Sequence, residues 1–336
     1  MLRKVMAAAA ALLVSTSVAP LSTAVAADFS PAVVFDMGGK FDKSFNEGVY
    51  NGVERFKKES GIEYREFEVT NETQREQALR RMAQRGANPV IGVGFAQAPA
   101  LEKVAKEFPD TRFAIIDAVV DLPNVRSIVF KEHEGSFLVG MIAALKSESG
   151  KVGFVGGMDI PLIRKFACGY EQGAKYVSKD TEVLQNMTGT TPAAWNDPTR
   201  GAELAKSQFD RGVDVVYAAA GGTGVGVYQT AEDSKKFAIG VDSNQNYLHP
   251  GTMLTSMLKR VDVAAYKAFK DAHDGNWSGG IQVLGLAEDG VGWALDEYNQ
   301  DLVTDEMKAK VEQAAADIVA GKLSVHDYMA SDSCSY

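Results

Sequence analysis

Short apolar runs and segments of helical periodicity alternate along this chain in two successive series. The first series begins with a buried run at residues 32–35, and the second begins with another at 152–155. Buried strands that alternate with helices are typical of parallel sheets with right-handed crossovers. The 336 residues also suit two domains of ordinary size. The sequence therefore predicts an α/β fold with two doubly wound parallel-sheet lobes.

The C-terminal part of the chain departs from this alternation. Strands are predicted at 252–258 and 281–286, and helices at 261–275 and 305–321. We expect these elements to cross back and complete both sheets, as hinge strands that couple the lobes closely. The expected N-terminal lobe is residues 27–148 plus 262–283, and the expected C-terminal lobe is residues 149–261 plus 284–336.

The first residues have the features of a secretory signal peptide. Arg3 and Lys4 form a positively charged region, residues 5–14 are apolar, and an A-x-A cleavage signal ends at Ala26. We expect residues 1–26 to be removed, with Asp28 as the alternative first residue. No cysteine lies near this site, and no later apolar run is long enough to span a membrane. The sequence predicts a soluble periplasmic protein without a lipid anchor.

Charge and cysteine content limit the function further. Removal of residues 1–26 leaves 33 basic against 44 acidic side chains, a net charge of −11. That balance disfavours binding to nucleic acid or to anionic membranes. Cys168 and Cys334 are the only cysteines. The periplasm permits a bridge, but nothing in their sequence neighbourhoods indicates one, and we expect two free thiols.

Motifs for catalysis, metal binding or nucleotide binding are missing from the sequence. The four histidines are isolated, and no GxSxG nucleophile motif occurs. The glycine-rich residues 221–226 do not complete a GxGxxG loop, because Val227 occupies the third glycine position. These glycines would instead let a helix N-terminus approach a ligand closely. We expect a binding protein with no enzymatic activity, metal or cofactor.

The stretch 33–56 carries the densest set of candidate binding residues. Asp36 follows the first strand, and Ser44 with Glu47 is predicted to form a capping box for the next helix. Open α/β proteins bind ligands at this edge of the sheet. The candidates in this stretch are Asp36, Asp42, Phe45 and Asn46. Alternatively, Phe45 belongs to the core and the two aspartates only form turns.

Further candidates follow strands in both halves of the chain. Asp117 and Asp242 each end a strand, and Lys259 follows another. Carboxylates and an ammonium group suit sugar hydroxyls, and Phe45 and Phe166, in opposite halves, could sandwich a base. Taken singly, each residue is more often structural, since strand-end aspartates cap helices and Phe166 has the spacing of a core position. The prediction of a binding site depends on their joint placement.

Several long motifs occur in order: FDMGGKFDKSFNEG (35–48), EGSFLVGMIAA (134–144), KVGFVGGMDIPLIRKFACGYEQGAK (151–175), AAAGGTGVGV (218–227), IGVDSNQ (239–245) and TSMLKRVD (255–262). With these motifs the chain resembles the basic membrane protein family, the purine-nucleoside-binding proteins of ABC importers with the type I periplasmic-binding fold. The resemblance covers nearly all of the mature chain. It implies two lobes that close on a nucleoside, and a monomer that delivers it to ABC permease subunits in the inner membrane. Many family members are lipoproteins, whereas this chain lacks the lipid-accepting cysteine.

The resemblance also implies a role for each matching residue. Phe45 and Phe166 would stack on the two faces of the base, with Phe95 lining the same pocket. Asp36, Asn46 and Asp117 would hydrogen-bond the polar edge of the base. Gly222, Asp242 and Lys259 would hold the ribose hydroxyls. Trp195 lies in a loop to which the resemblance assigns no role.

Three other functions stay open at this point. A nucleoside hydrolase would hold calcium with closely spaced N-terminal aspartates, but Asp36 and Asp42 are separated by five residues, including Lys40. A binding protein that serves a chemoreceptor or sensor would use the same closed form. A sugar-binding protein of the same fold would also place its ligand on aromatic side chains.

Overall fold

The computed structural model of the protein describes residues 29–334, so the predicted signal peptide at 1–26 lies outside the described residues. Within 29–334 the strands form two six-stranded sheets. The strands are β1 (Ala32–Phe35), β2 (Arg65–Glu68), β3 (Val90–Val93), β4 (Phe113–Ile116), β5 (Val125–Phe130), β6 (Lys151–Met158), β7 (Glu182–Gly189), β8 (Val215–Ala219), β9 (Phe237–Asp242), β10 (Met253–Lys259), β11 (Gly280–Leu284) and β12 (Val291–Trp293). The predicted α/β fold with two parallel-sheet lobes is confirmed.

Helices cover both faces of each sheet. They are α1 (Phe45–Ser60), α2 (Gln74–Gln84), α3 (Ala98–Glu107), α4 (Glu132–Lys146), α5 (Pro161–Val177), α6 (Pro198–Asp210), α7 (Gly224–Asp233), α8 (Val261–His273) and α9 (Asp305–Val319). On the first sheet α1 and α8 pack on one face, and α2 and α3 pack on the other. On the second sheet α4, α5 and α9 share one core, and α6 and α7 contribute to the core on the opposite face.

The order of strands shows how the chain couples the two lobes. The first sheet has the order β2-β1-β3-β4-β5-β11, and the second has the order β7-β6-β8-β9-β10-β12. All pairs are parallel except β10 with β12. In the described part of the chain, the path passes from one sheet to the other after β5, after β10 and after β11. The crossings after β10 and β11 are the return of the C-terminal elements that the sequence predicts.

Helix α4 packs with the second sheet. Every residue from Glu132 to Ala143 is buried, and the helix lies against α5 and α9. A Cβ on Gly140 would collide with the backbone carbonyl of Tyr170, so glycine allows α4 and α5 to approach closely. The lobe boundaries stay a prediction, but this packing places α4 beside the second core although the expected first lobe ran to residue 148.

The prediction of two free thiols is wrong. Cys168, on α5, and Cys334 form a disulfide with a Cα–Cα distance of 5.5 Å. The bridge fastens the C-terminal segment to α5, where the backbone of His326 also exchanges hydrogen bonds with Gln172. The two cysteines are 166 residues apart, and their pairing depends on a long-range contact that local sequence patterns do not encode.

None of the helices within residues 29–334 is long and apolar enough to cross a membrane.

Candidate functional site

A cavity lies between the carboxyl ends of the two sheets. The cavity and its mouth, including the solvent at the opening, span about 660 Å³. Eight of the nine predicted ligand-binding residues line it: Asp36, Phe45, Asn46, Phe95, Asp117, Phe166, Asp242 and Lys259. The ninth, Gly222, faces the loop at 190–197, and its neighbour Gly221 lines the cavity instead. The structure thus gathers the predicted residues, and their individual roles stay predictions.

The N-terminus of α1 is capped by Asp42. Its carboxylate accepts hydrogen bonds from the backbone N–H groups of Ser44 (2.8 Å), Asn46 (3.0 Å) and Glu47 (3.1 Å). Lys43 adopts a left-handed backbone with φ of 63°, which brings the carboxylate over the helix start. The predicted capping box is therefore wrong, because the side chain of Ser44 makes no capping bond and Glu47 reaches the N–H of Lys43.

The strand-end aspartates Asp117 and Asp242 occupy equivalent positions in the two lobes. Asp117 follows β4 with φ of 72°, and Asp242 ends β9 with φ of 63°. A left-handed conformation at a non-glycine residue is strained by about 1–2 kcal/mol and is best tolerated by Asp and Asn. Both aspartates line the cavity, and strain of this kind concentrates at functional sites.

The two lobes contact each other directly at the cavity. Ser44 donates its hydroxyl to Asp242 Oδ2 at 2.6 Å, and Ser243 donates its hydroxyl to the carbonyl oxygen of Ser44 at 2.8 Å. Gln245 Nε2 donates to the carbonyl oxygen of Lys43 at 2.9 Å. These bonds join the start of α1 to the end of β9, so the structure is a closed form.

Lys259 lies at the centre of a buried charge network. Its Nζ is 2.7 Å from Asp117 Oδ2 and 3.0 Å from Glu132 Oε1. Glu132 also pairs with Lys165, at 3.0 Å. Asp117 belongs to the first sheet and Lys259 to the second, so the ion pair spans the lobes. Within residues 29–334, Asp117 Oδ1 and Asn46 Oδ1 have no hydrogen-bond partner and are buried in residues that line the cavity, which leaves both acceptors for a ligand.

The aromatic side chains line the cavity and also belong to the hydrophobic packing. Phe45 packs against the core of the first lobe, and Phe166 is 3% exposed in the core of the second. The Nζ of Lys259 lies 5.3 Å from the ring centre of Phe45 and 5.4 Å from that of Phe166. The core interpretation and the binding interpretation of these residues are therefore compatible.

Trp195 lines the cavity although the sequence assigned it no role. Its indole occupies space that a side chain on Gly157 would fill, and a Cβ on Gly38 would lie 3.3 Å from its Cβ. Trp195 thus rests on one lobe and touches the other. The adjacent glycines 156 and 157 at the end of β6 are the one sequence signal that indicates room for a large side chain there.

A family model described as ABC transporter substrate-binding protein PnrA-like matches residues 29–327. The chain belongs to the Bmp family. A Lactococcus lactis protein named ABC transporter nucleoside-binding protein BmpA is 32% identical over 324 residues, which cover 90% of each chain. The crystal structure of an ABC transporter solute-binding protein from Aeropyrum pernix K1 has a TM-score of 0.82 at 31% identity, covering 88% of this chain and 92% of that one. This Bmp-family chain is therefore an extracytoplasmic solute-binding protein of an ABC transporter.

One relative bears on how the protein is held outside the cytoplasm. An uncharacterized lipoprotein of Pyrococcus abyssi is 38% identical over 286 residues, which cover 80% of this chain and 70% of that protein. The absence of a lipid anchor in this Bmp-family chain stays a prediction.

Burial raises the pKa of the acids in the Bmp-family cavity. Desolvation raises the pKa of Asp42 to about 7 and that of Asp117 to about 6, although backbone N–H groups and Lys259, respectively, oppose the rise. Burial likewise raises the pKa of Asp36 and Asp242. Burial alone would lower the pKa of Lys259, but the surrounding carboxylates outweigh it and raise this pKa above the usual range. The lysine stays charged at neutral pH.

We expect ligand affinity to rise with pH through about 6. A ligand N–H that donates to Asp117 favours the ionised carboxylate, so below its pKa of about 6 binding must first release a proton. Affinity should then fall by up to about tenfold per pH unit below that value. Calorimetry between pH 5 and 8 measures the slope, to which the other cavity acids also contribute. Asp117→Asn should remove part of it, and an unchanged slope in this variant would contradict the assignment.

Proposed function

We propose that the protein is exported, binds a purine nucleoside between its lobes and delivers it to an ABC permease. The observation that carries the proposal is one cavity that receives an aromatic ring and a strand-end aspartate from each lobe. A flat heterocycle with a polar edge and a sugar matches this combination better than a sugar alone, because both lobes present a ring. The nucleoside-binding relative from Lactococcus lactis supports the same ligand class.

The proposed pose follows from the position of each group in the cavity. Phe45 and Phe166 stack on the base, with Phe95 beside them. Asp36, Asn46 and Asp117 accept or donate hydrogen bonds at the polar edge of the base. Asp242 and Lys259 bind the ribose hydroxyls, and the backbone of Gly221 takes the place predicted for Gly222. In this pose the free oxygens of Asn46 and Asp117 find their missing partners.

Closure of the lobes strengthens these contacts. The bonds from Ser44 and Gln245 join the two lobes in this structure, so opening of the lobes would break them, and closing excludes water from the ligand. Charge-assisted hydrogen bonds are roughly twice as strong as neutral ones, and exclusion of water strengthens them further. The permease then recognises the closed shape.

Calorimetry with the ligand-free protein tests the proposal. We expect saturable binding of adenosine, inosine or guanosine, weaker binding of the free bases, and no binding of glucose or galactose. Inosine incubated with the protein and calcium should release no hypoxanthine, because the proposed role is binding without turnover. The proposal would be overturned if the protein bound a hexose but none of the nucleosides, or if it released free base from inosine.

Loss of one aromatic ring should lower the affinity for every ligand that carries a base. Stacking of a base on an aromatic side chain contributes about 1–3 kcal/mol by alanine substitution, so Phe166→Ala is expected to lower nucleoside affinity by about 5- to 150-fold. Phe166→Leu retains the packing in the core and should show a loss of similar size if stacking is responsible. Equal affinities of wild type and Phe166→Leu would assign Phe166 to the core alone. The measurement is calorimetry at a temperature where circular dichroism shows each variant still fully folded.

Replacing Asp242 should weaken the binding of nucleosides more than the binding of free bases. Asp242→Asn keeps the shape of the side chain and its contact with Ser44 but removes the charge. Hydrogen bonds to charged groups contribute about 1.5–3 kcal/mol, so adenosine should bind roughly 10-fold to 150-fold more weakly while adenine changes little. An equal loss for adenosine and adenine in calorimetry would show that Asp242 does not contact the ribose.

A further inference from the structure

A second cavity adjoins the first at the end that carries Asp36. With the solvent at its opening it spans about 540 Å³, and it shares four wall residues with the main cavity: Asp36, Met37, Phe95 and Trp195. Neither Asp242 nor Lys259 borders it. The two spaces therefore meet beside the proposed base and away from the proposed ribose.

The loop at residues 190–197 forms the wall of this second cavity on the second lobe. Thr190, Thr191, Pro192 and Trp195 border it, together with Met158 at the end of β6. The first lobe supplies Ala96 and Arg75. The walls thus combine apolar surface with a few hydrogen-bonding groups, as in other small-molecule sites.

Arg75 is the main unused donor of this cavity. Its Nε donates to Asp36 Oδ1 at 3.0 Å, and its terminal nitrogens make no hydrogen bond to any residue within 29–334. The Arg75 side chain is 11% exposed. Asp36 neutralises its charge and the exposed Glu72 adds a further negative charge to the wall. An uncharged group that offers a hydrogen-bond acceptor therefore fits better than an anion.

We infer that the second cavity binds an uncharged substituent on the base, so that the protein takes N-alkylated purine nucleosides as well as unsubstituted ones. The inference rests on the proposed function, because the pose of the base places the substituent. Asp36 accepts an N–H from the exocyclic amine, and a mono-alkylated amine keeps one N–H for this bond. Its alkyl group then passes between Phe95 and Trp195 toward Arg75.

Calorimetry with matched ligand pairs tests this inference. The pairs are adenosine with N6-(2-methoxyethyl)adenosine and guanosine with N2-(2-methoxyethyl)guanosine, whose ether oxygen offers Arg75 an acceptor, and N6-succinyladenosine serves as the anionic analogue. For each parent nucleoside that binds, we expect the affinity of its uncharged derivative to be within about threefold of the parent's affinity, or higher. The dianionic succinyl derivative should bind at least about tenfold more weakly than the parent, because Asp36 and Glu72 repel it.

A variant that fills the second cavity gives an independent test. Ala96 borders the second cavity and not the first, so Ala96→Phe should weaken the uncharged derivative by about tenfold or more through overpacking and leave the parent within about threefold. Ala193 is exposed on the loop at residues 190–197 and borders neither cavity. Ala193→Phe is the matched control and should change neither affinity.

The outcomes separate this inference from the proposed function. If no nucleoside binds at all, the proposed function fails and the inference fails with it. If a parent binds but its uncharged derivative is weakened by more than about thirtyfold, only the inference fails. Normal binding of the derivative by Ala96→Phe would also overturn it. Tight binding of the succinyl analogue would overturn the assignment to uncharged groups.

Discussion

Lys259→Met is expected to lower the free energy of unfolding by about 3–5 kcal/mol at pH 7, because it leaves the buried Asp117 without its counter-ion and Glu132 with Lys165 alone. Lys259 is 2% exposed and contacts Asp117 at 2.7 Å and Glu132 at 3.0 Å. Methionine fills similar space, so the loss measures charge and not volume. Urea unfolding of the ligand-free protein, followed by far-UV circular dichroism, gives the difference.

The size of this loss should depend on pH. The pKa of Asp117 in the folded wild type is already above the value in the unfolded chain. Without the lysine it rises further, and the pKa of Glu132, which Lys259 and Lys165 hold down in the wild type, rises as well. The folded variant then binds more protons than its unfolded form, and its stability increases as pH falls toward 5. Wild type and variant should therefore differ less at pH 5 than at pH 7. A constant difference would contradict the buried-charge explanation.

Two further variants control for the loss of a lysine itself. Lys206→Met removes an exposed lysine whose side chain is 67% accessible and which pairs with Asp210 on the surface. Such pairs contribute about 0–1 kcal/mol, so little change is expected. Adding Asp117→Asn to Lys259→Met removes one of the unpaired charges and should recover part of the stability. If the double variant is no more stable than Lys259→Met, the unpaired Asp117 carboxylate does not cause the loss of stability.

The fold could be predicted from the sequence because its signals are local. Buried runs such as the one at β1 are short and apolar, and the segments between them have helical periodicity and capping residues. Local sequence does not encode which of the two sheets a helix packs against. Helix α4 is buried from Glu132 to Ala143 and carries no charged side chain between residues 135 and 145, so its pattern has no solvent-facing polar side that would indicate which sheet it covers.

The candidate site was predictable where polar residues follow predicted strands, as with Asp117, Asp242 and Lys259. The positions that the sequence did not predict depend on the local backbone conformation or on a contact between residues that are far apart in the chain. Gly221 and Gly222 are adjacent in sequence, and only the conformation shows which one lines the cavity. Trp195 lies in a polar loop without periodicity, and its position depends on space left by glycines in both lobes.

The disulfide is the second feature whose removal should have a large effect. Cys334→Ser is expected to lower the free energy of unfolding by about 2–5 kcal/mol, because the bridge closes a long loop and restricts the unfolded chain. The cysteines are separated by 166 residues. Cys168 keeps its buried position in this variant, so the core of the second lobe is not emptied. Wild type reduced with dithiothreitol should unfold at the same urea concentration as Cys334→Ser.

The C-terminal segment gives this prediction a second, local readout. Asp327 lies 3.5 Å from Lys165, which pairs with Glu132 in the network around Lys259. Release of the segment should therefore increase hydrogen exchange around residues 326–334 and at α5 before the first lobe responds. Ser333→Ala, next to the cysteine, is the matched control and should leave stability unchanged. Two free thiols in the unreduced native protein, or equal midpoints for wild type and Cys334→Ser, would refute the bridge as a source of stability.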